Sequence, residues 1–184
     1  MRLATTMVIA ASHHRIGIQS SYAASKATTK TRRNATNAAA FTADDMNAYQ
    51  NLARTYLAIG QKQIARLVCE QALEIDPYNA SIHNTLGLVW IQLGDVRKAI
   101  RSFARAVQND SSLVEARLNY GSVALNYSDF NTAREQFRAG LALEPDNIDA
   151  TMGNAVADRG LNELDEAQKG YEKVLGTRPN SANA

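Results

Sequence analysis

Three histidines and one cysteine are the side chains best suited to catalysis or metal binding, and their placement speaks against both. His13 and His14 adjoin in a stretch rich in Ala, Ser and Thr, with no further ligand spaced to complete a metal set. Cys69 stands alone, so no internal disulfide can form. It also falls at an apolar position of helical spacing, where a thiol acts as a small buried hydrophobe. The chain has no Gly-rich phosphate loop, no Cys/His metal spacing and no nucleophile motif. The expectation is therefore no catalytic residues, no metal and no cofactor. Asn34, Asn79, Asn109 and Asn126 head Asn-x-Ser/Thr triplets, which matter only in a eukaryotic secreted protein.

What remains is a surface for binding, and the composition says what carries it. The 184 residues are 45% hydrophobic and 21% charged, as in an ordinary globular protein. Only 3 prolines and 7% aromatics suit an all-helical chain. Charge is divided unevenly. Arg2, Arg15, Lys26, Lys30, Arg32 and Arg33 make residues 1–43 basic with no acid, whereas the chain from Asp44 on is slightly acidic. A basic tail on a near-neutral body argues for targeting or tethering and against a nucleic-acid-binding body. The longest early apolar run, LATTMVIAA at 3–11, is too short for a membrane span, which needs roughly 20 apolar residues.

From residue 46 the sequence matches itself at a spacing of 34. Ala65, Ala99, Ala133 and Ala167 share one register, and Ala53, Gly87, Gly121 and Ala155 another. Small residues there let two antiparallel helices approach closely. Gly60, Gly94, Ser128 and Asn162 stand where a first helix must end, a place for the left-handed conformation that Gly and Asn tolerate best. Cys69, Phe103, Phe137 and Tyr171 form a bulky register that fills the gap between successive hairpins. Ala72, Ala106, Gly140 and Val174 form a small one. Pro77, Pro145 and Pro179 stop second helices, since proline lacks the donor and restricts its predecessor; Ser111 stands in that place in the second unit.

This pattern resembles the tetratricopeptide repeat, a 34-residue helix–turn–helix unit, and Leu86-Gly87, Trp90, Ala99, Phe103 and Ala106 carry it best. The resemblance covers four units, at 46–79, 80–113, 114–147 and 148–181. It implies an all-α, right-handed solenoid in which the first helix of each pair lines a concave groove. Such grooves bind a peptide or helix of a protein partner. Carried over position by position, the first unit's wall is Asn47, Gln50, Asn51, Arg54 and Leu57. The second unit's is Ser81, Asn84, Thr85, Leu88 and Ile91, and the third's is Glu115, Leu118, Asn119, Ser122 and Leu125. The fourth's is Asp149, Met152, Val156 and Arg159. Asn51 and Asn119 occupy a slot where the family uses asparagine to grip a peptide backbone, but Thr85 and Gly153 interrupt the ladder. Glu115 and Asp149 stand where adaptors for carboxylate-ended tails need lysine, which argues against that subtype.

The resemblance leads to a non-catalytic scaffold or adaptor. The wording of repeats such as NYSDFNTAREQF at 126–137 is similar to that of bacterial envelope machines, of the pilus or gliding kind, which favours periplasm or envelope over cytoplasm. Two alternatives stand beside it: a subunit that self-assembles through its C-terminal repeat, and a fragment of a larger protein. Residues 1–43 are expected to be disordered or a targeting tail. Arg2 with LATTMVIAA resembles a bacterial export signal cleaved near Ser21-Tyr22-Ala23, and the acid-free leader also resembles a mitochondrial transit peptide; a stretch with no targeting role is the third reading. Thr42 and Asp44-Asp45 read as a helix start. The fourth unit departs from the pattern, with Asn154 and Asp158 where earlier units carry Leu52, Leu86 and Tyr120, and Tyr56, Trp90 and Ala124. With Gly153 and Gly160 beside them, its first helix is expected to be the least stable, or sheltered. No capping helix is expected over 182–184, which leaves Leu164, Tyr171 and Leu175 near an open end.

Overall fold

The 34-residue register becomes eight helices in the computed structural model, which describes residues 43–177. They are α1 (Ala43–Ala58), α2 (Lys62–Ile75), α3 (Ala80–Leu93), α4 (Val96–Asn109), α5 (Val114–Asn126), α6 (Phe130–Leu143), α7 (Ile148–Gly160) and α8 (Leu164–Thr177). Among the described residues there is no strand, and successive helices pack as hairpins into an all-α solenoid. The expected tail before Ala43, the Thr42 cap, Pro179 and the end at 182–184 lie outside the described residues.

Each hairpin turn is made at the predicted position. Gly60 and Gly94 have φ of +80° and +82°, and Ser128 and Asn162 adopt the same left-handed region at +60° and +65°. Serine holds that conformation at a cost of about 1–2 kcal/mol. Side-chain caps start four of the helices. Asn79 accepts from the Ile82 amide at 3.1 Å, Asp95 from Lys98, Asp129 from Thr132, and Asn147 from Ala150 at 2.9 Å. Each such cap contributes about 1 kcal/mol. Second helices α2 and α6 end at Ile75 and Leu143, just ahead of Pro77 and Pro145.

The core runs along the array. Ala65, Ala99 and Ala133 are fully buried where the helices of a pair cross. Of the bulky register, Cys69 and Phe103 are fully buried and Phe137 nearly so. Burying such a phenylalanine contributes roughly 1.5–3 kcal/mol. Burial, with the neighbouring Glu70 carboxylate, pushes the Cys69 thiol up to about 12, so it stays protonated and inert. Glycine makes room for the rings: a Cβ on Gly87 would overlap Phe103, and one on Gly121 would lie 2.9 Å from Phe137. Trp90 sits under two cations, Lys98 at 4.3 Å and Arg66 at 5.9 Å from the ring centre.

The fourth unit's departures are matched by its neighbours. Gly153 and Gly160 lie against the Phe137 and Phe130 rings, which a Cβ would overlap. Asp158, 1% exposed, receives Arg138 at 3.2 Å, Arg134 at 3.8 Å and the Asn154 amide at 2.6 Å. A stranded buried carboxylate costs roughly 3–5 kcal/mol, so Asp158 is tolerable only beside the arginines of α6.

Two outcomes follow from these contacts. Ser128→Gly removes the left-handed strain and adds backbone entropy to the unfolded chain, for a net gain of roughly 0.5–1 kcal/mol and a melting temperature raised by a few degrees in calorimetry. His83, buried, donates from Nε2 to the Pro77 carbonyl at 2.9 Å, and its Nδ1 is buried without a partner. Burial, the largest cause, lowers its pKa; Arg105 adds to this, while the Pro77 carbonyl and Asp76 oppose it. The unfolded chain then binds the proton more readily. The stability His83 contributes is complete above its ordinary pKa of about 6.5 and falls as pH drops through it. Melting temperature between about pH 7.5 and about pH 5.5 should fall more in the native chain than in His83→Gln, which keeps the donor without the titration.

Candidate functional site

The first helices α3, α5 and α7 lie side by side, so their shared face forms one wall of the array. Two polar contacts stitch its upper part. Arg54 of α1 pairs with Glu115 of α5, and Asn119 of α5 donates to Asn84 of α3 at 2.9 Å. Glu115 and Asn119 are one helical turn apart, so α5 makes both contacts with the same face.

Below these stitches α5 and α7 diverge around a cleft of about 580 Å³. Its α5 side is Glu115, Leu118, Asn119, Ser122, Leu125 and Asn126. Its α7 side is Asp149, Met152, Gly153 and Val156, and the Phe137 ring closes the floor. The cleft has an apolar bottom and a polar rim, the usual character of a binding site. Gly153 lies on this cleft, where the same slot holds Asn51, Thr85 and Asn119 in the other units, and its backbone packs directly on the Phe137 ring.

Eight of the groove residues expected from sequence line this one cleft; the rest are elsewhere. Asn47 and Asn51 are exposed on α1, Gln50 is half-buried, and Arg54 is engaged by Glu115. Leu57 and Leu88 pack against the core clusters, Ile91 and Arg159 are exposed, and Ser81 is half-buried. Asn84 and Thr85, expected on the groove wall, are fully buried instead. Asn84 is held by Asn119, and Thr85 turns its hydroxyl back to the Ser81 carbonyl at 2.9 Å, so neither is presented to a ligand. Phe137, Gly153 and Asn126 were not expected. The signal for the first two was in the register itself, where a glycine replaces the polar slot one hairpin after a phenylalanine.

Among the described residues no three His, Cys, Asp or Glu side chains gather to hold a metal ion, and no helix is long and apolar enough to cross a membrane.

Known proteins share this architecture. A family model for the tetratricopeptide repeat matches residues 47–79. The BBSome complex member BBS4 of Bos taurus is 29% identical over 90 residues, which are 49% of this chain and 17% of that protein. The match thus spans less than a fifth of that relative. A crystal structure of MamA protein superposes with a TM-score of 0.65 at 22% identity, over 75% of each chain. YrrB, described as a TPR protein with an unusual peptide-binding site, superposes at 0.63 with 23% identity, over 74% of this chain and 71% of that one. At these identities the structural likeness speaks for the fold. The matched unit, the 34-residue register and the structural likeness agree on the fold: residues 43–177 form an all-α solenoid of the tetratricopeptide repeat kind.

Proposed function

We propose that this array is a protein-interaction scaffold that holds a peptide or helix of a partner in the cleft between α5 and α7. The repeat family is generally a non-catalytic protein-interaction module, and the observation that carries the finer reading is the cleft itself. It is the place where apolar side chains of two adjacent first helices, Leu118 and Leu125 with Met152 and Val156, stand open over an aromatic floor. An apolar surface with a polar rim is a characteristic partner site. The complex membership of the curated relative and the peptide-binding site named for YrrB support the same direction. The envelope setting rests on the wording of the repeats alone.

A photo-reactive phenylalanine at Ser122, exposed on the cleft rim, tests this reading in native cell extract. The expected result is a discrete heavy product from Ser122, none from the same probe at exposed Gln108 on α4, and at least about tenfold less product when Met152→Arg is added. Equal products from both positions, or a Ser122 product indifferent to Met152→Arg, would contradict it.

A further inference from the structure

We infer that the α5–α7 cleft selects an internal segment of its partner that sets a bulky apolar side chain beside a lysine or arginine. This rests on the reading of the cleft as a partner site and names the chemistry of its occupant. The floor supplies the apolar half. Phe137, nearly buried beneath Gly153, lies at the floor of the cleft, and Met152 and Val156 flank it with apolar surface. A cavity of about 580 Å³ accommodates one large side chain with a short length of backbone.

The rim supplies the charge. The charged residues that line the cleft are both carboxylates, Glu115 and Asp149, set at the same register on adjacent helices. Glu115 already holds a guanidinium, that of Arg54 from α1. Among the described residues no cation pairs with Asp149. The Arg54–Glu115 pair is thus an intrachain instance of the contact that a partner's cation makes one hairpin further on. With Glu115 paired to Arg54, Asp149 is the rim carboxylate that repels a free C-terminal carboxylate or an acidic peptide, so the rim excludes as well as attracts. Asn119 spends one amide N–H on Asn84, and its side-chain oxygen can still accept from a peptide backbone.

The test is fluorescence anisotropy of the full chain with three labelled nonapeptides, acetylated and amidated at their ends. One has a central leucine flanked by lysines, the second the same leucine flanked by glutamates, and the third the lysines around a central alanine. At low salt the first should bind about tenfold or more tightly than either of the others, with the advantage over the glutamate peptide shrinking as salt is added. Asp149→Lys, at an exposed position in the first turn of α7, should reverse the order of the lysine and glutamate peptides. An unchanged order in that variant, equal binding of lysine and glutamate peptides, or binding by none of the three overturns the inference. Equal binding that Met152→Arg abolishes would still leave the cleft a partner site, and the Ser122 crosslink decides that reading separately.

Discussion

The array depends on one kind of contact: an aromatic ring of a second helix pressed onto glycine backbone of the first helices around it. Phe137 shows it most fully. A Cβ on Gly121 of α5 or on Gly153 of α7 would run into its ring from two sides, and the ring is 2% exposed. With no slack on either side, the ring fixes how closely α5, α6 and α7 approach. Phe103 plays the same part against Gly87 one unit earlier. In the second and third units the approach of the hairpins follows from these rings, whereas Cys69 and Ala53 hold the same registers in the first.

The same contact makes the cleft. Gly153 admits the ring and also withholds a side chain from the slot that Asn119 fills in the preceding unit. Packing and binding surface therefore share a residue. The neighbouring substitutions at Asn154 and Asp158 look like defects when α7 is read alone, yet they form a polar cluster with Arg134 and Arg138 of α6. Helix α7 has exchanged an aromatic and aliphatic register for a hydrogen-bonded one, and its glycines are points of close approach.

Much of this was legible in the sequence because a repeat states each local requirement several times. The turn register was readable even at Ser128 and Asn162, since Gly60 and Gly94 announced the conformation that the other two then adopted. The small and bulky registers likewise announced the buried alanines and phenylalanines. What the period could not show are the contacts particular to one unit. Arg54 and Glu115 are 61 residues apart, and their pairing depends on how α1 and α5 sit across α3. The burial of Asn84 and Thr85 arises from such neighbours too, as does the pairing of Asp158 with α6. Repetition reveals the shared core, whereas site-specific polar contacts need the coordinates of the whole stack.

The most direct test of this account is a double-mutant cycle between Gly153 and Phe137, with unfolding free energies measured for Gly153→Ala, Phe137→Leu and the pair. If the ring occupies the space the new methyl would need, alanine at 153 destabilises the native background despite its better helix propensity. In the Phe137→Leu background that penalty should shrink or reverse, giving a coupling of about 1–3 kcal/mol. Additivity within about 0.5 kcal/mol would mean that the two residues do not constrain each other, and the ring-on-glycine basis of both the stack and the cleft would be wrong.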